Sequence, residues 1–117
     1  LLGSVLLVAA AIAARADETG LASIHEWRKE GGKTCLSDHF HDGAGSGETR
    51  KAAEAKAISS WMSFTDLEYG STWASYQLSG SKKMECTERG AKEWSCAVTA
   101  RACKQGGGRA KKAAKAQ

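Results

Sequence analysis

Residues 84–103, MECTERGAKEWSCAVTARAC, hold three of the four cysteines and constrain the fold more than any other stretch. Polar and apolar residues alternate on both sides of a break at Arg89-Gly90-Ala91-Lys92. Met84 and Cys86 share one face of the first segment; Trp94, Cys96, Val98 and Ala100 share one face of the second. A period of two with one apolar face is the pattern of a half-buried strand. The stretch therefore reads as an antiparallel hairpin, with Gly90 expected to supply the positive φ of the turn. With Ala91 at the centre, Cys86 lies opposite Cys96 and Met84 opposite Val98. Directly opposed residues have Cα atoms about 4.5–5.5 Å apart, inside the roughly 4.4–6.8 Å that a disulfide spans. Four cysteines allow three connectivities. The expected one is Cys86–Cys96 with Cys35–Cys103, the second closing nearly the whole domain.

The N-terminal residues explain why the cysteines read as bridges rather than thiols. Residues 1–14, LLGSVLLVAAAIAA, are an apolar run, followed by Ala14-Arg15-Ala16 and then Asp17-Glu18. That order is a signal core, a small-x-small cleavage site and charge. Fourteen residues fall short of the ~20 needed to span a bilayer. Residues 1–16 are thus expected to be a signal peptide and the mature protein to be periplasmic or secreted, where disulfides persist. About a hundred residues remain, enough for one domain with a small core that benefits from covalent staples.

The longest helical signal is 49–69. Ser46 or Thr49 can cap its start, Ala52 to Ala57 are mostly strong helix formers, and Gly70 suits the position after the end. Ala53, Ala57, Ile58, Trp61, Phe64 and Leu67 fall on one half of that helix and are expected to face the core. Residues 71–80, STWASYQLSG, fit a short second helix by their ends and a strand by the alternation of Ala74, Tyr76 and Leu78. Residues 17–34 read as an N-terminal arm or short helix stopped by Gly31-Gly32.

Asp38-His39-Phe40-His41-Asp42 is the segment richest in chemistry. In an extended chain His39 and His41 point to the same side. Two imidazoles so placed can grip Zn²⁺, Cu²⁺ or Ni²⁺, with Asp38 or Asp42 as a carboxylate ligand. Polar loops with histidines are common without any ion. The following Gly43-Ala44-Gly45-Ser46-Gly47 reads as a flexible loop; without a preceding strand in a βαβ unit it is no dinucleotide fingerprint. Gly32-Lys33-Thr34 lacks the upstream glycine of a phosphate loop, since Trp27 stands there. No strained serine turn frames a hydrolase nucleophile. The reading is accordingly non-enzymatic.

Charge is uneven along the chain. Residues 17–103 carry eleven Lys plus Arg against thirteen Asp plus Glu, whereas the last fourteen residues carry five bases and no acid. Lys104, Arg109, Lys111, Lys112 and Lys115 make a basic tail, with 105–117 expected to be disordered. Such a tail is drawn to anionic envelope polymers or an anionic lipid surface, or simply solubilises.

One ordered set of residues resembles a group of proteins. It runs from Cys35 through Ala57-Ile58-x-x-Trp61 and Glu68-Tyr69-Gly70-x-x-Trp73 to Cys86, Cys96 and Ala100-Arg101-Ala102-Cys103-Lys104. It is similar to small exported, cysteine-paired proteins of alphaproteobacteria, a group without an assigned activity. The resemblance covers about 35–104 and implies a compartment and a scaffold only.

The expected architecture is α+β: one long and one short helix packed on an antiparallel β-hairpin, with a possible third strand. The stapled domain is 35–104, and the histidines lie in an irregular lead-in. The expected role is an envelope-associated binding or structural module; the alternative is extracytoplasmic metal binding.

Overall fold

The computed structural model describes residues 18–106. A 3-10 turn at Leu21–Ile24 leads into strand β1 (Trp27–Glu30), strand β2 (Lys33–Gly47), helix α1 (Arg50–Tyr69), a second 3-10 turn (Ser71–Trp73), strand β3 (Gly80–Gly90) and strand β4 (Glu93–Gln105). The strands form one antiparallel sheet in the order β1-β2-β4-β3. Over the described residues the fold is α+β, with a single long helix on a four-stranded sheet. No helix among the described residues is long and apolar enough to cross a membrane. The expected signal segment and the tail residues Arg109, Lys111, Lys112 and Lys115 lie outside the described residues.

The hairpin of β3 and β4 has the expected register: Cys86 opposes Cys96 and Met84 opposes Val98. Cys35 opposes Cys103 across β2 and β4. Both opposed pairs are disulfide-bonded. The turn departs from expectation. The register slips by one between Glu88 and Gly90, and the left-handed residue is Lys92, at φ 57°, rather than Gly90.

The larger correction concerns β2. The expected irregular lead-in and glycine loop are one fifteen-residue strand beside β4 at the centre of the sheet. Its glycines fall on alternate positions for a steric reason. A Cβ on Gly43 would lie 2.3 Å from the Ala57 carbonyl oxygen, and one on Gly45 would lie 2.5 Å from the Ala57 nitrogen. On Gly47 it would meet the Ala52 side chain at 2.9 Å. The backbone of α1 occupies the volume that side chains on this face would need. Only Glu48 and Thr49 separate β2 from α1, so the helix folds straight back along the strand it follows. The Thr49 hydroxyl accepts from the Ala52 N–H at 3.0 Å and starts it. Gly70, at φ 96°, ends it, donating to the Asp66 carbonyl.

Close approach narrows the buried stripe of α1. Its buried residues are Ala53, Ala57, Trp61, Thr65 and Tyr69, one per turn at i, i+4 spacing. Phe64 and Leu67, expected in the core, are exposed, Leu67 at 80%. A helix resting on glycines touches the sheet along a line, not over half its circumference. Trp61 crosses that line and donates its indole N–H to the Ala100 carbonyl at 3.1 Å. Leu36, Val98, Ala100, Ala102, Tyr69 and Trp73 complete the core around it.

The expected arm is part of the sheet. Gly31, at φ 60°, turns the chain so that Trp27–Glu30 pair with Lys33–Leu36. The expected second helix shrinks to the Ser71–Trp73 turn, because Trp73 is already buried against the sheet and the chain must reach β3 at Gly80. Gln105, expected in the tail, pairs with Lys33 at the end of β4.

Candidate metal centre

A bulge in β2 aims the histidines. Between Cys35, opposite Cys103, and Phe40, opposite Arg101, β2 advances five residues while β4 advances two. The odd count of extra residues exchanges the faces. Cys35 therefore sits on the sheet face away from α1, whereas His41, opposite Ala100, sits beneath the helix. Without the bulge both would face the same way.

His41 is buried, 2% exposed, and enters a gap bounded by Phe64, Thr65, Glu68 and Tyr69 of α1. Its ring stacks on Tyr69 at 4.8 Å between centroids and lies 4.6 Å from Phe64. Thr65 decides its tautomer. The Thr65 hydroxyl donates to the Trp61 carbonyl at 2.7 Å, so its oxygen accepts from His41 Nδ1–H at 2.9 Å. In the neutral ring the lone pair is then on Nε2. That atom is buried and has no aligned hydrogen bond, yet lies 3.1 Å from Glu68 Oε2. The contact is close but out of line for a hydrogen bond, so it is a charge contact at most. Burial pushes the His41 pKa below its ordinary value; Glu68 pulls the other way and His39 adds to the lowering. A neutral ring protonated on Nδ1 would bring its Nε2 lone pair close to the Glu68 carboxylate. Two acceptors at that distance repel unless a proton or a cation lies between them.

His39 joins from the same face of the strand. Its Nε2 is 3.8 Å from Glu68 Oε1, and its ring is edge-on to His41 at 5.1 Å. The donor atoms of His39, His41 and Glu68 all lie within 4.8 Å of one another. Around a tetrahedral Zn²⁺ with bonds of about 2.0–2.1 Å, donors sit roughly 3.3 Å apart. His39 is 38% exposed, and a shift of its ring toward Glu68 would close the set. The donor set fits Zn²⁺ or Cu²⁺. The Thr65 bond supplies the outer support that fixes a ligating imidazole.

His39 and His41 are brought together as their spacing predicts; the carboxylates are not those expected. Asp38 and Asp42 are exposed, and Asp42 accepts from the Thr99 hydroxyl at 2.8 Å. On a strand, neighbours of a histidine point to the opposite face. Glu68, the carboxylate that faces the histidines, comes from the last turn of α1 and carried no local sequence signal. His25 stacks on His39 at 4.8 Å, but its Nε2 faces the Tyr69 hydroxyl at 3.4 Å. Burial, then Glu68, raises the Tyr69 pKa, so the phenol keeps its proton and can donate to His25.

A second constellation, Glu30 with Cys35 and Cys103, is closed to metal because both sulfurs are in the disulfide. Of the expected polyanion-binding residues, the one described is Lys104. It lies in β4, over the rings of Trp27 and Trp73 at 4.4 and 5.0 Å, with Glu18 at 3.2 Å. It is committed to the fold rather than extended as tail.

Comparison with family models, curated proteins and solved structures finds no match for this chain.

Proposed function

We propose that this is an extracytoplasmic transition-metal-binding protein that holds Zn²⁺ or Cu²⁺ through His39, His41 and Glu68. One observation carries the reading: the buried Nε2 of His41 lies 3.1 Å from Glu68 Oε2 with no aligned hydrogen bond, while Nδ1 is engaged by the Thr65 hydroxyl at 2.9 Å. A divalent cation turns that close approach into two bonds. The role is binding rather than catalysis. The two disulfides suit an oxidising compartment, and the resemblance to exported cysteine-paired proteins points to the same place.

Calorimetric titration of the chelator-treated protein with Zn²⁺, Cu²⁺ and Ni²⁺ tests it. Wild type binds one equivalent of Zn²⁺ or Cu²⁺. Glu68→Gln and His39→Ala/His41→Ala each weaken binding by tenfold or more. Asp38→Asn/Asp42→Asn leaves it within a factor of three. Equal heats from wild type and the double histidine variant reject the proposal. A loss confined to the aspartate variant would restore the ligand set expected from the sequence.

A further inference from the structure

The geometry points to a metal centre with one coordination position left open, which a small monoanion such as a carboxylate fills from an adjoining groove. This rests on the metal-binding reading above. A closed structural zinc site uses four protein donors, whereas a site with three keeps a place for water or ligand. Here the group has three. Among the described residues no fourth His, Cys, Asp or Glu lies within it. Outside them the chain contains one residue of those types, Asp17. His25, the nearest further imidazole, turns its Nε2 to Tyr69.

Access exists on the side where a fourth ligand is missing. A groove of about 550 Å³ runs past His39, His41 and Glu68, between the 39–42 segment of β2 and Ser60 and Phe64 of α1. His41 is buried beneath the helix, but His39 and Glu68 are partly exposed to this groove, 38% and 29%. An ion among the three donors would therefore be held from one side by the protein and face solvent on the other.

Charge selects the ligand. A divalent ion with two neutral imidazoles and one carboxylate carries one net positive charge. A monoanion neutralises it, and a carboxylate is a hard oxygen donor suited to Zn²⁺ and Cu²⁺. A second negative group on the same ligand would meet no counter-charge, since among the described residues the groove lining of His39, Phe40, His41, Asp42, Ser60, Phe64 and Glu68 includes no Lys or Arg. A monocarboxylate thus fits better than a dicarboxylate or a phosphate.

Cobalt substitution reads the open position directly. The full chain, loaded with Co²⁺, is titrated with azide and separately with acetate and succinate, and its visible bands are followed. Azide and acetate are expected to shift the bands saturably, and succinate to bind at least threefold more weakly than acetate. Ser60→Trp, which adds bulk at a groove residue that is not one of the three donors, is expected to weaken azide binding about tenfold while Co²⁺ affinity stays within threefold. If Co²⁺ binds through the two histidines and Glu68 but the bands ignore azide and acetate, the site is closed. The inference then falls while the metal-binding reading stands. If Co²⁺, Zn²⁺ and Cu²⁺ all fail to bind, both fall; if Cu²⁺ binds where Co²⁺ does not, the visible bands of the Cu²⁺ form are titrated with azide and acetate and read in the same way. Azide affinity unchanged in Ser60→Trp overturns the groove as the route.

Discussion

Gly43→Ala adds a single methyl group at the most crowded point of the fold. That methyl would stand 2.3 Å from the Ala57 carbonyl oxygen, 2.5 Å from the Trp61 nitrogen and 2.8 Å from Trp61 Cβ. The first two are helix backbone, so no side chain can rotate aside. Ordinary contact begins at 3.4 Å, and α1 must retreat from β2 by about 1 Å. Overpacking of this kind costs about 1–3 kcal/mol, and a rigid obstacle belongs at the upper end. Retreat also stretches the Trp61–Ala100 hydrogen bond, worth roughly 1 kcal/mol when intact. The expected loss is about 3–4 kcal/mol, against a total stability on the order of 5–10 kcal/mol for a domain this size. The thermal midpoint should fall by roughly 12–25 °C. Gly32→Ala is the control, since its methyl meets nothing within 4 Å. Urea and thermal unfolding followed by circular dichroism give both numbers. Should Gly43→Ala lie within about 0.5 kcal/mol of wild type, the close-packed interface of β2 and α1 is refuted.

Other substitutions probe the remaining features. Replacing Cys35 and Cys103 by serine opens a loop with a sequence separation of 68, against 10 for Cys86 and Cys96. The chain-entropy relation gives about 4.4 and 2.8 kcal/mol; chemical denaturation that ranks the pairs in the opposite order contradicts it. Lys92→Gly relieves a left-handed backbone and should stabilise by about 1 kcal/mol, read as a higher urea midpoint. In metal-free protein, the fold lowers the His41 pKa, so the unfolded chain takes up this proton first. His41 then contributes full stability above about pH 6.5 and loses it as pH falls toward the folded value. His41→Gln should flatten part of the decline in stability between pH 7.5 and 5.5; an unchanged slope shows that His41 does not drive it.

Much of this fold can be read along the chain, and the rest fails for identifiable reasons. The β3–β4 register follows from alternation, because cysteines and apolar residues mark one face. The parity of His39 and His41 is equally local. β2 is harder because its buried face is built from Gly43, Gly45 and Gly47, which carry no apolar mark. Glycine in a strand can signal close backbone approach, yet nothing in the sequence says which backbone approaches. The same absence misplaces Phe64 and Leu67: half a helix looks apolar, but a helix on glycines needs only a narrow stripe. Glu68 is invisible from the histidines because the link is purely spatial.

The glycines and His41 are parts of one matched ladder. Alternate residues of an extended strand advance about 6.6 Å, and four helical residues about 6.0 Å. β2 and α1 run antiparallel and exploit that match. Gly47 lies under Ala52 and Ala53, Gly45 under Lys56 and Ala57, Gly43 under Ala57 and Trp61, and His41 under Thr65 and Tyr69. The two periods drift apart by only a fraction of an ångström per step, so the alignment survives along the helix. Three rungs are empty of side chain, and the fourth is an imidazole ring. The helix cannot lie equally close over both, so it must stand off the sheet at its C-terminal end. That end is where Glu68 and the groove are. The glycines thus do more than permit packing: they anchor one end of α1 tightly while the other is propped on His41. Propping sets the separation between Glu68 and His41 Nε2, and with it the space in which an ion can be held.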